Sequence, residues 1–253
     1  MPTSLTFDEH LAHLDASGSR LGDLAVGAGL DAAVPTCPGW TTRELLAHQA
    51  MVHRFAAANV GGDPGDYPDD TTILAEVDDL VGYYRDGHAA LVAALREAPP
   101  DLQATVFLND APPPREFWAR RQAHETTMHM VDALSATLAR FPTTAEVAVD
   151  GRFAVDGIDE LLRGFLTRGR AKLFDGEEFT VAVVPSDADQ RWVLGVGPKL
   201  TVAAGDGSGA DATLAGTSAA LYLALWNRGG EVSAAGRPDV LERWRETTRV
   251  SWA

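Results

Sequence analysis

Seven histidines occur in the 253-residue sequence, and their spacing relative to carboxylates matters more than their number. Glu125 and His129 stand four residues apart in His124-Glu125-Thr126-Thr127-Met128-His129. On a helix that spacing lifts both side chains from one face, about 5–6 Å apart at Cβ. It suits two ligands of one ion, and it equally suits a local hydrogen bond on a solvated face. His48 lies among Leu45, Val52 and Phe55, a setting in which an imidazole is usually a core residue bonded to a backbone carbonyl. Joined to the Glu125/His129 pair, it would make three protein ligands with one position open, the arrangement of catalytic rather than structural zinc. His53 and His124 are reserve candidates; His53 follows His48 by five residues and so faces elsewhere on a helix. His10 and His13, flanked by Asp8 and Glu9, read as surface residues.

Other reactive types carry weaker signals. Cys37, between Thr36 and Pro38 with no base nearby in sequence, reads as a buried structural cysteine. Gly205-Asp206-Gly207-Ser208-Gly209 lacks the Lys-Ser/Thr ending and the following helix of a phosphate loop, and reads as a hairpin turn.

The elements that must position these residues follow from periodicity and punctuation. Leucines 11, 14, 21 and 24 predict a first helix over Leu5 to Ala28, weakened by Gly18 and Gly22. Thr41-Thr42-Arg43-Glu44 has the form of a capping box and starts a second helix that runs to about Asn59, stopped by Gly61-Gly62-Asp63-Pro64-Gly65. The apolar stripe from Leu74 to Leu95 predicts a third helix over Thr72 to Glu97. Pro112-Pro113-Pro114 introduces a fourth from Arg115 to about Ala139, since proline suits a first helical turn. Four helices of this length make a bundle. Past Phe141-Pro142 the texture changes to mixed periods: a helix over Ile158 to Leu173, strands at 179–184, 191–196, 200–203 and 212–214, a helix over Thr217 to Trp226, a short strand near 231–234 and a last helix from Pro238 to Arg249. This gives an α+β second domain, with division into 1–145 and 150–253.

Composition removes several function classes. A net charge of −15, from 36 acidic against 21 basic residues, opposes a phosphate backbone or an anionic membrane as partner. One cysteine makes no internal disulfide, and the first residues lack the basic and apolar regions of a secretory signal, so a reducing cytoplasmic setting is expected. No apolar run approaches the roughly 20 residues that span a bilayer. A monomer or homodimer is expected.

Two segments together, Thr36-Cys37-Pro38-Gly39-Trp40-Thr41-Thr42-Arg43-Glu44-Leu45-Leu46-Ala47-His48 and Arg120 to Ala133 around Glu125-Thr126-Thr127-Met128-His129, resemble the mycothiol-dependent maleylpyruvate isomerase family. The resemblance implies a DinB-type four-helix bundle followed by a smaller α+β domain similar to sterol-carrier folds. It implies metal ligation by His48, Glu125 and His129, the same trio that spacing suggests, with zinc as the metal and mycothiol as thiol cosubstrate. It also matches Arg228, in Trp226-Asn227-Arg228-Gly229-Gly230, to an arginine that holds substrate or thiol. The implied reaction is isomerisation of a small electrophilic substrate by a metal-bound thiolate. The alternatives are mycothiol S-transfer to an electrophile and, in another class, a non-catalytic binding protein whose apolar Leu221 to Trp226 run walls a hydrophobic pocket.

Overall fold

The helices of the N-terminal half begin where the sequence supplies a cap or a proline. In the computed structural model, which describes residues 5–63, 65, 67–169, 172–237 and 239–248, Thr6 and Glu9 form a capping box at the start of α1, Phe7–Ala28. Thr41 and Glu44 do the same for α2, Thr42–Val60. Pro113 and Pro114 open α5, Pro114–Leu138, without a side-chain cap. Met1 to Ser4, Pro64 of the expected helix stop, and Pro238 and Arg249, the expected bounds of the last helix, lie outside the described residues.

The expected third helix is two. A short α3, Asp70–Glu76, ends at Val77, whose backbone is extended (φ −99°, ψ 110°), and α4, Leu80–Glu97, restarts where Asp79 accepts from the Gly82 N–H. Asp78-Asp79 offers the backbone a cap that an uninterrupted helix could not use, and the apolar stripe continues across the break. In the four-helix bundle α1 packs chiefly on α5 and α2 on α4, with α1–α4 and α2–α5 contacts closing the ring. Gly18 and Gly22 of α1 permit that closeness: a Cβ on Gly18 would lie 2.2 Å from the His88 Nε2 of α4.

Beyond a short turn, α6 (Thr144–Val147), comes α7, Gly151–Asp159, which passes directly into a wider π-helical stretch, Glu160–Phe165. The expected helix over 158–173 therefore starts earlier and stops earlier; Asp150 caps it by accepting from the Arg152 and Phe153 N–H groups. Five strands follow: β1 Phe179–Pro185, β2 Trp192–Val196, β3 Thr201–Ala204, β4 Ala212–Gly216 and β5 Ser233–Gly236. Helix α8, Ser218–Leu225, precedes β5, and α9, Val240–Thr247, follows it. The sheet order is β3-β2-β1-β4-β5, antiparallel except for the parallel β1–β4 pair. Because β3 and β4 are not neighbours, the Gly205–Gly209 loop is a crossover and not the expected hairpin turn. The glycines allow it, with Gly207 at φ +77°.

Helix α5 runs through the middle of the molecule. Every residue from Phe117 to Ala136 is buried, including Arg120, Arg121, His124, Glu125, His129 and Asp132. A helix covered on all sides must satisfy its polar groups through its neighbours. Those neighbours create the site.

Candidate metal centre

Trp40 and His48 owe their positions to one turn and one helix. In Cys37-Pro38-Gly39-Trp40 the Trp40 N–H donates to the Cys37 carbonyl at 3.0 Å, and Gly39 takes φ +93°. Proline second and glycine third suit this reversal, because only glycine adopts the left-handed third position freely. The chain then enters α2 at its Thr41 cap. His48 falls on the inner face with Leu45 and Val52, and the Trp40 ring lies 5.1 Å from the His48 ring, centre to centre.

Glu125 and His129 rise from the adjoining face of α5. Glu125 Oε1 is 3.3 Å from His129 Nε2 and 3.9 Å from His48 Nε2, and the three donor atoms lie within 4.8 Å of one another. Ligands about 2.0–2.1 Å from a tetrahedral zinc stand roughly 3.3 Å apart; Glu125 and His129 already have that separation, and His48 would have to close in to join them. The three are nearly buried, at 5–7% exposure. The donor set, two imidazoles and one carboxylate, fits a borderline divalent ion with a position to spare.

The surroundings hold each donor in a usable state. Burial alone would lift the Glu125 carboxyl; the Arg121 guanidinium and hydrogen bonds with His129 and His48 outweigh it and keep the group well below the usual carboxylate range. Arg121 itself is fully buried between Glu125 and Glu160 of the π-helical stretch, bonded to both. His129 Nδ1 bonds Asp132 Oδ2 at 2.9 Å. Burial would lower His129, yet the bonds to Asp132 and Glu125 raise it to about 9. The charge and hydrogen bonds of Arg228 and His129 in turn hold Asp132 below its ordinary range despite burial. Glu125, Glu160 and Asp132 thus face Arg121 and Arg228, and in metal-free protein a protonated His129 completes the charge balance, a place that a metal cation would take.

Arg228 leaves the end of α8 through a tight reversal. Asn227 takes φ +62°, the Asn227 N–H donates to the Ala224 carbonyl and the Arg228 N–H to the Leu223 carbonyl at 2.7 Å. The guanidinium then meets Asp132 through Nε and Nη2, each at 3.0 Å. It lines a cavity of about 750 Å³ whose walls include Cys37, Trp40, Leu161, Trp226 and Arg245. The metal-capable trio lies just behind this wall: Trp40 packs on both imidazoles, at 5.1 and 6.2 Å between ring centres, and Arg228 reaches His129 through Asp132.

The expected site residues His48, Glu125, His129 and Arg228 are therefore brought to one region. The reserve histidines are not. His53 bonds Gln49 and Thr126 and packs on Tyr84 and His88. His124 joins a second buried group, His10, His124 and Asp156, in which both imidazoles and Arg120 converge on Asp156 Oδ2 at 2.8–2.9 Å. This corrects the surface reading of His10, which is 1% exposed: it shares the inner face of α1 with Leu14 and Ser17, and the charged residues beside it in sequence point elsewhere. His13 is half-buried against Phe153. Cys37 is also only partly buried, a cavity wall and not a core residue. Burial and Asp132 raise its thiol to about 12, so it remains protonated. The Leu221 to Trp226 run is core through α8, and Leu225 and Trp226 also reach the cavity. Asp132 and Arg121 escaped the sequence reading as site residues. The three-residue spacing of His129 and Asp132 was the available signal for the first.

Residues 11–134 match the family model described as the mycothiol maleylpyruvate isomerase N-terminal domain, and residues 152–243 match the model of the C-terminal domain of the same proteins. Among solved structures, the crystal structure of the mycothiol-dependent maleylpyruvate isomerase is similar at 16% identity and TM-score 0.62, covering 93% of this chain and 96% of that one. A histidine-to-alanine mutant of that isomerase matches at TM-score 0.64, with the same identity and coverage. At such identity the likeness is one of fold. No curated protein matches the sequence.

Proposed function

This chain belongs to the mycothiol-dependent maleylpyruvate isomerase family, and on that premise we propose that it is a metal- and thiol-dependent enzyme acting on a small electrophilic substrate. His48, Glu125 and His129 are the proposed ligands of a divalent metal, zinc, and Arg228 the proposed substrate-holding residue. One observation carries the reading: two imidazoles and a carboxylate from α2 and α5 converge directly behind a cavity that Trp40 and Arg228 wall. Bound there, the metal would supply the positive charge that keeps a thiol sulfur deprotonated near neutral pH.

The chain's own residues account for the remaining requirements. Arg121 holds Glu125 as a carboxylate, the form that ligates. Arg228, fixed by Asp132 and by donation from Nη1 to the Trp226 carbonyl at 2.8 Å, offers a cationic edge to an anionic substrate group. Trp40, Phe141, Leu161, Leu225 and Trp226 give the cavity apolar walls that displace water. Cys37, held protonated, introduces no competing protein thiolate. The chemistry supported is cis–trans isomerisation of an activated double bond, by reversible thiol addition and rotation about the single bond so formed. Retention of the thiol on the electrophile would instead be S-transfer, and product analysis separates the two. The low cysteine content is consistent with a reducing cytoplasm, and among the described residues no helix is long and apolar enough to cross a membrane.

Metal analysis of purified wild type against a His48→Ala/His129→Ala double variant tests the ligands. We expect about one zinc per chain in the first and little in the second; equal content would reject the site. Turnover of maleylpyruvate with and without mycothiol tests the thiol, and turnover indifferent to it would reject that part of the reading.

A further inference from the structure

Asp132 stands three residues after His129 on α5 and is fully buried. Its carboxylate is surrounded by donors from three separate parts of the chain. Oδ2 accepts from His129 Nδ1 at 2.9 Å and from Arg228 Nη2 at 3.0 Å. Oδ1 accepts from Arg228 Nε at 3.0 Å and from Thr36 Oγ1 at 2.6 Å. A carboxylate has about four lone-pair positions, so all are used and none remains for an ion.

Two consequences follow from this geometry. Donation from Nδ1 fixes the proton of the His129 ring on that nitrogen and turns Nε2 toward Glu125 and His48, where it lies 3.3 Å from Glu125 Oε1. The paired bonds from Nε and Nη2 fix the plane of the Arg228 guanidinium; Nη1 also donates to the Trp226 carbonyl and Nη2 to Cys37 Sγ, which leaves one Nη1 N–H for the cavity. We propose that Asp132 is a positioning residue that serves both halves of the site at once, orienting His129 for the metal and Arg228 for the substrate through a single carboxylate. The proposal rests on the metal reading above. It adds that the C-terminal half of the chain, through Arg228, and the metal ligand on α5 share one anchor, so that loosening the anchor disturbs both.

A merely structural ion pair between α5 and the end of α8 would also hold the fold together, so the test reads metal and substrate separately from stability. Asp132→Asn keeps the shape of the side chain but replaces an acceptor oxygen with a donor. Zinc affinity, measured by competition with a chromophoric chelator, should fall by about 10–100-fold, the usual effect of losing a partner behind a ligating histidine. KM for an anionic substrate should rise in the same variant. Thr36→Val removes another donor from the same carboxylate without touching His129 or Arg228, and should leave zinc affinity near the wild-type value. Folded Asp132→Asn with unchanged zinc affinity would overturn the proposal. Nitrogen NMR of the wild-type histidines gives a reading that needs no variant. His129 should carry its proton on Nδ1 and show the zinc-induced shift at Nε2; the reverse assignment would overturn the proposal even if the variant failed to fold. Wild type that takes up no zinc at all would instead reject the metal reading on which this role depends.

Discussion

Helix α5 contributes to two buried groups of the same composition: two histidines and a carboxylate, with His129 and Glu125 in one and His124 in the other. In the His10/His124/Asp156 group the protein supplies its own cation, Arg120, whose Nε meets Asp156 Oδ2 at 2.9 Å. The second ring nitrogen of His124 is taken by the Tyr222 hydroxyl at 2.9 Å, and exposure is 0–3%. In the His48/Glu125/His129 group both Nε2 atoms also face one oxygen, Glu125 Oε1, but at 3.3 and 3.9 Å, with the Arg121 guanidinium on the other oxygen; exposure is 5–7%, and a cavity opens beyond Trp40. Residue types alone do not make a metal centre. What separates the two groups is whether a guanidinium already occupies the place of the ion and whether solvent can deliver one.

If this contrast is sound, the sealed group is a staple and the open group a site, and substitutions should divide accordingly. The largest effect expected on stability is at Asp156. Asp156→Ala would leave buried Arg120 only the more distant Asp159 carboxylate, at 3.6 Å, and should cost about 3–5 kcal/mol in denaturant unfolding, whereas Glu125→Gln, which leaves Arg121 its bond to Glu160, should abolish zinc uptake at a much smaller loss of stability. Comparable losses in the two would break the distinction. Next in size is Arg228→Lys, which exchanges a planar fork for a point charge beside Asp132. A lost charge-assisted hydrogen bond of about 1.5–3 kcal/mol corresponds to roughly a 10–100-fold fall in kcat/KM, with zinc content unchanged.

A smaller effect probes how tightly the staple is packed. A Cβ on Gly157 would sit 2.2 Å from Tyr222 Cε2 and 2.7 Å from His124 Nδ1. Gly157→Ala should therefore destabilise by about 1–3 kcal/mol, measurable by thermal unfolding, with no change in zinc affinity. The smallest expected effect is in pH dependence, where the groups pull in opposite directions. In metal-free protein, His129 is raised from 6.5 to about 9, so its stabilisation is complete below 6.5 and is lost as pH rises through 9. Burial depresses His124 from the same 6.5, so the unfolded chain takes up a proton first and stability declines as pH falls below 6.5. Asp156, held low by His10 and His124 against burial, adds a further loss as pH falls through the ordinary carboxylate range. Zinc should remove the alkaline loss and leave the acid one. Unfolding midpoints across pH, with chelator and with zinc, check this.

The sequence carried the open group further than the sealed one for a physical reason. Glu125 and His129 share one helix, so their i,i+4 spacing declares a common face, and His48 follows a Thr41–Glu44 cap that fixes the helix start. Asp156 has no such signal: its partners His10 and Arg120 lie 146 and 36 residues away, joined only by packing of α1, α5 and α7. The polar residues of α5 misled for a related reason. The spacing of Glu125 and His129 equally suited a solvated face, yet bundle and C-terminal half cover the helix together. The split at Val77 and the crossover of the Gly205–Gly209 loop were hidden because an apolar stripe and a glycine run look the same on either path.

Anomalous diffraction at the zinc edge, from crystals of wild-type protein grown with zinc, tests the contrast most directly. The account predicts one strong peak within ligating distance of His48 Nε2, Glu125 Oε1 and His129 Nε2, and none among His10, His124 and Asp156. A peak in the second group, or none in the first, would contradict it.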